Sequence, residues 1–262
     1  MIERFRCLAL FTAVGLAAGL AGCFSSDSGE EGRTTGSVEI EFPEGDPSVP
    51  AKEGGPGFQG EGWTTAKAGP LGDTSAVKGG TMLTSITTWP ETLRPYGKGS
   101  NMVYNALWAG LVYESLCAIS PQTLEMLPSL ASHWTISDDK MTFTFRINPR
   151  AHWSDGQPVT ADDVIATYDL IMDDTLLDPP NKVLLSKLER PVKKSKYIVE
   201  VNCKEKNWRN FITFSGMSIL PAHQIGKLTG EEYREKYNFR FTVGSGPYTV
   251  YDEDVNNGEW LT

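Results

Sequence analysis

The sequence predicts an α/β domain with a mixed sheet, preceded by an export leader and an acidic linker. Three observations carry that reading. From residue 79 onward, stretches alternating with a period of two are interleaved with stretches repeating every three to four residues. The chain of 262 residues is 40% hydrophobic and 10% aromatic, enough apolar material for a real core. Its net charge of -9 is uneven, running +1 over residues 1–22, -6 over 23–78 and -4 over 79–262. With 24 Lys and Arg against 33 Asp and Glu, the surface repels a phosphate backbone, which excludes nucleic acid as a partner.

At the N-terminus, Arg4 and Arg6 precede an apolar run from Leu8 to Leu20. That run is too short to cross a bilayer, which needs about 20 residues, and fits the apolar region of a signal peptide. Leu20-Ala21-Gly22-Cys23 follows and resembles a bacterial lipobox, which makes Cys23 the lipid acceptor and residues 1–22 the leader. The expectation is a protein held on a membrane by acyl chains and facing the periplasm or the exterior of the cell envelope.

About half of residues 24–78 are Gly, Pro, Ser or Thr, and large apolar residues are scattered singly, so 23–78 reads as a disordered tether. Gly55, Gly57 and Gly60 spell GxGxxG within it. A dinucleotide site needs a strand before that motif and a helix after it, and neither is present, so no cofactor is expected.

The folded part is expected over 79–262. Thr81–Thr87 reads as a strand ending before Pro90, and residues 101–113 as a helix with Val103, Tyr104, Leu107, Trp108 and Leu111 on one face. Strands are predicted at 116–119, 142–147 and 197–201, with Phe143, Phe145 and Ile147 sharing a face. Asp155-Gly156 marks a turn. Thr160 with Asp163 three residues on, and Thr229 with Glu232, have the spacing of a capping box before a helix. Val164, Ile165, Tyr168, Ile171 and Met172 form the stripe of the first of these helices, and 208–214 reads as a short amphipathic helix. Gly244 and Gly246 point to close backbone approach near a strand.

Trp153-Ser154-Asp155-Gly156-Gln157-Pro158-Val159-Thr160-Ala161-Asp162-Asp163-Val164 closely resembles the signature of family 5 extracellular solute-binding proteins, the oligopeptide, dipeptide and nickel receptors of ABC importers. Leu93-Arg94-Pro95, the segment Leu111 to Leu116, Leu127 to Trp134, Ile219 to His223 and Val243-Gly244-Ser245-Gly246-Pro247-Tyr248 match in the same order. The resemblance implies a periplasmic-binding-protein fold of type II, in which two lobes close on a ligand. It places Gly244, Gly246 and Pro247 near the crossing between lobes, and the second lobe is expected to be absent from this chain. Within the signature, Trp153, Asp155, Gly156, Pro158, Thr160 and Asp163 are the kinds of residue that build a turn and start a helix, so their role reads as structural.

Function follows from that resemblance: capture of peptides or a similar small solute by a monomer, and delivery to ABC permease subunits, without covalent chemistry. No GxSxG, SxxK, HExxH or CxxC is present, and His133, His152 and His223 stand alone, so neither an enzyme nor a metal site is expected. Asp252, Asp254 and Asn256 start like a calcium loop but lack its closing Glu, and read as a solvated turn. Cys117 and Cys203 form either a disulfide or two buried thiols. Ser85, Ile86, Thr87, Thr88 and Trp89, at the C-terminal end of the first strand, are the candidate ligand contacts, with an ordinary strand end as the alternative. The alternative function is a single-lobe envelope lipoprotein that acts as an interaction module.

Overall fold

In the computed structural model, residues 45–67, 75, 77 and 81–261 are described. The leader and Cys23 lie outside the described residues, as does the linker up to residue 44. Residues 1–40 and 41–262 divide into two units.

The alternation in Thr142–Ile147 produces the central strand. Its Phe143, Phe145 and Ile147 are at most 2% exposed and point into the core. With β1 (Cys117–Ile119), β2 (Met126–Pro128), β3 (Ala131–Ile136), β4 (Thr142–Ile147), β5 (Val192–Lys193) and β6 (Ile198–Asn202), the main sheet runs β3-β4-β6-β5. β1 and β2 pair separately, as do β7 (Val255–Asn256) and β8 (Trp260–Leu261). Every pairing among the described residues is antiparallel, so the mixing of strand directions expected from the sequence is not seen there.

Helices cover one face of this sheet. The helices are α1 (Val103–Val112), α2 (Ala161–Met172), α3 (Pro179–Leu185), α4 (Trp208–Ser215), α5 (Ala222–Ile225) and α6 (Gly230–Lys236). Phe211 of α4 stacks on Phe145 at 5.5 Å and meets Phe143 edge-on at 5.3 Å, while Val164, Tyr168 and Ile171 of α2 are buried beside them. Both expected capping boxes form, at Thr160 with Asp163 and at Thr229 with Glu232.

Two expectations are corrected. Thr81–Thr87 is not a strand: it pairs with nothing among the described residues, and Met82 and Leu83 are 87% and 92% exposed. A β pattern without a neighbour has no ladder to join. Residues 45–67, expected within the disordered tether, are packed against the sheet. Thr64 bridges to Trp134 on edge strand β3, with N–H to O distances of 2.8 and 3.0 Å in the two directions. On the face away from the helices, the Arg146 guanidinium donates to Gly54 O at 2.9 Å, Gly55 O at 3.2 Å and Ser132 Oγ at 2.8 Å, and lies 4.8 Å from the Phe58 ring. Lys196 pairs with Asp46 at 2.9 Å. The glycines of the GxGxxG thus serve an arm that wraps the domain, covering an edge that would otherwise be open.

Candidate functional site

α1 has no charged residue in its sequence VYNALWAGLV. One stripe, Asn105, Ala109 and Val112, is buried, and Asn105 Nδ2 donates to Thr92 O at 2.6 Å and Arg94 O at 3.0 Å. The opposite side is open, with Val103 73% and Leu107 51% exposed. A helix apolar all round is ordinarily buried all round, whereas among the described residues this one is half-exposed.

Each flank of that surface has its own chemistry. On one flank the candidate contacts Ser85–Trp89 run alongside the helix, Ser85, Thr87 and Thr88 exposed and Ile86 and Trp89 partly covered. Thr87 Oγ1 is 3.5 Å from Tyr104 OH, Trp89 lies 6.4 Å from Trp108, and Tyr104 stacks on Trp108 at 6.2 Å. The buried Nε1 of Trp89 has no hydrogen-bond partner among the described residues. The other flank is the wall of a cleft of about 780 Å³, the size of a small-molecule site. Val103, Ala106 and Gly110 of α1 line it together with Ile171, Leu184 and Ile212, and Glu114, Ser115, Asn101, Asn181 and Thr213 are among its polar residues. None of Ser85–Trp89 lines this cleft.

Glu114 was not singled out by sequence reasoning. The available signal was its position, as the first charged residue after the charge-free run from Ser100 to Tyr113. Ser129 Oγ donates to its Oε1 at 3.3 Å, and its backbone N–H donates to Ser245 Oγ at 3.1 Å, so one residue joins three of the motif segments. Burial raises its carboxyl pKa, and the two serine hydroxyls pull it back.

The signature residues stand behind this surface. Trp153 is 1% exposed, Gly156 turns at φ +86°, and His152 bridges to Pro158. Asp163 accepts from Thr160 N at 2.7 Å and from Ala222 N at 2.7 Å, tying the starts of α2 and α5 together. Asp155 accepts from His223 Nε2 at 2.8 Å, a pairing across 68 positions between the signature turn and a histidine that stands alone in the sequence. Ser154 N–H reaches Gly244 O at 2.8 Å.

The close approach expected of Gly244 and Gly246 is made to the end of α1, not to a strand. A Cβ on Gly244 would stand 2.3 Å from Val112 O, and one on Gly246 2.5 Å from Leu111 O. Pro247 follows, with Tyr248 N–H bonded to Leu111 O at 3.2 Å.

Cys117 and Cys203 are both free and buried, which resolves the alternatives in favour of two thiols; burial pushes the Cys117 thiol up to about 12. Asp252–Asp254 is a 3-10 turn with Arg240 paired to Asp252. Among the described residues no group of His, Cys, Asp and Glu could hold a metal, and no helix is long and apolar enough to cross a membrane.

This architecture, a helix-covered sheet with an open apolar flank, has the fold of one lobe of the periplasmic binding proteins of type II. The chain resembles the oligopeptide-binding protein AppA of Bacillus subtilis, solved in complex with a nonapeptide, at a TM-score of 0.54 and 24% identity over 64% of this chain and 32% of that one. The family description "Bacterial extracellular solute-binding proteins, family 5 Middle" matches residues 125–261, about half of the chain, and the chain belongs to that family. It is 34% identical over 172 residues to a binding protein of Brucella melitensis, covering 64% of this chain and 26% of the relative. It is 33% identical over 181 residues to the peptidoglycan-binding protein YepA of Agrobacterium fabrum, covering 66% and 28%. The chain therefore spans about a quarter of the length of the curated relatives it matches. Each of these matches is named as a binding protein.

Proposed function

We propose that this chain is the solute-capturing part of an ABC importer, lipid-anchored through Cys23, which takes peptides or a similar small solute outside the cytoplasmic membrane and hands them to permease subunits. The observation that carries the proposal is the charge-free, half-exposed α1 between an aromatic shelf and the 780 Å³ cleft. Solute lies against α1, with Thr87 and Trp89 on one flank and the cleft on the other. Gly244, Gly246 and Pro247 hold the rear of that helix and mark the passage toward a second lobe. The protein works as a monomer, and closure over ligand produces the state that the permease recognises. The names of the relatives, which include peptide and peptidoglycan binders, support a ligand of peptide character.

The test is a mixed di- to pentapeptide library titrated into the 262-residue chain with tryptophan fluorescence as readout. A micromolar complex needs about -8 kcal/mol, which one open face does not supply, so saturation well above micromolar is expected, with the spectral change lost in Trp89→Phe. No spectral change up to the solubility limit of the library would remove α1 as the solute surface.

A further inference from the structure

The cleft beside α1 carries a single formal charge. Glu114 is the only Asp, Glu, Lys, Arg or His among its lining residues. It is partly buried, and among the described residues no Lys, Arg or His pairs with it, whereas Asp162, Asp169 and Glu200 each hold a cationic partner within 3.3 Å. The hydroxyls of Ser129 and Ser245 lie at Glu114, and neither cancels the carboxylate's charge. The other lining residues are apolar or carry only hydroxyls and amides. A carboxylate in such a place is costly unless something positive meets it.

We propose that Glu114 receives a protonated amine or a guanidinium carried by an otherwise apolar solute in this cleft; the inference rests on reading the cleft as a solute site. The cation brings N–H donors to the carboxylate oxygens and cancels the charge, and such charge-assisted bonds are about twice as strong as neutral ones. The hydrocarbon body lies on Val103, Ala106, Leu184 and Ile212. A neutral solute of the same shape leaves the carboxyl as it stands and gains only the apolar contact.

Trileucine amide and its N-acetyl form differ in that charge and share the same body. Both are titrated into the full 262-residue chain and its Glu114→Gln variant, with backbone NMR shifts giving affinity and location. Glutamine keeps the side-chain shape and still accepts from Ser129, and the acetylated probe tests the charge without any mutation. The free amine is expected to bind the unaltered chain about tenfold tighter than the acetylated probe, the scale of one hydrogen bond to a charged group. Glu114→Gln removes that preference while the melting curve stays in place. Equal binding of both probes in the cleft, or a preference that survives in Glu114→Gln, overturns the role of Glu114 and leaves the cleft a solute site. No cleft shifts with either probe overturns the cleft reading and this inference with it.

Discussion

Replacing Arg146 with Lys isolates the contacts that hold the 45–67 arm. Arg146 is 9% exposed, and its guanidinium donates three hydrogen bonds, two of them to arm carbonyls at Gly54 and Gly55 and one to Ser132 Oγ. Lysine keeps the charge, but its single ammonium cannot reproduce the planar fork, and it loses the stacked approach to Phe58. A bond to a charged donor contributes about 1.5–3 kcal/mol; with two lost and water partly restored at the freed carbonyls, the net cost is about 2–4 kcal/mol. That cost cannot exceed the docking free energy of the arm, because once the arm lets go its remaining contacts no longer matter. At about 2–4 °C per kcal/mol for a chain of this size, melting should fall by about 4–16 °C, accompanied by new protease cuts within 45–67. A Lys variant that melts within about a degree of the unaltered protein, with its arm equally resistant, would refute the clasp.

Two further outcomes follow from local geometry. Gly244→Ala places a methyl 2.3 Å from Val112 O, where only backbone could yield, so a loss of about 1–3 kcal/mol in denaturant unfolding is expected together with weaker peptide binding. Cys23→Ser removes the thiol that the lipid anchor requires, and the product should leave the detergent phase; undiminished lipid labelling of that variant would end the anchoring proposal.

What could be read from the sequence was mostly short-range. Thr160 and Asp163, or Thr229 and Glu232, stand three residues apart, and the bond between them needs nothing from the rest of the chain. β4 announces itself because alternate residues in a half-buried strand must differ. The arm was illegible for the opposite reason: its composition resembles a linker, and its order comes from Arg146, 92 positions from Gly54. β2 and β3 were passed over because Pro128 and the bulge near Ala131 interrupt the alternation, although Leu127, Leu130 and Trp134 are buried. At Thr81–Thr87 the reverse holds: the pattern is present and no partner strand lies among the described residues. At the site, Thr87 and Trp89 do reach aromatic neighbours on α1, while Glu114 was hidden inside a motif read for its apolar residues.

The position of the most recognisable motif behind the cleft, and not in it, has a mechanical explanation. The turn at Asp155-Gly156 is closed by Trp153 and fixed to α5 through His223, which leaves Ser154 N–H aimed at Gly244 O. Gly244 and Gly246 then lie directly against the last carbonyls of α1, with Gly246 N–H bonded to Val112 O at 2.8 Å. From that helix end the chain passes through Tyr113, whose hydroxyl accepts from Thr242 N–H at 3.0 Å, to Glu114, whose N–H meets Ser245. A charge-free helix has no ion pairs to fix its rotation, and with one side open it lacks half of the packing that would do so. The signature and the glycine segment together supply that constraint at its C-terminal end. Held there, α1 presents Val103, Ala106 and Gly110 to the cleft beside Glu114, and no residue of the signature or the glycine segment lines it.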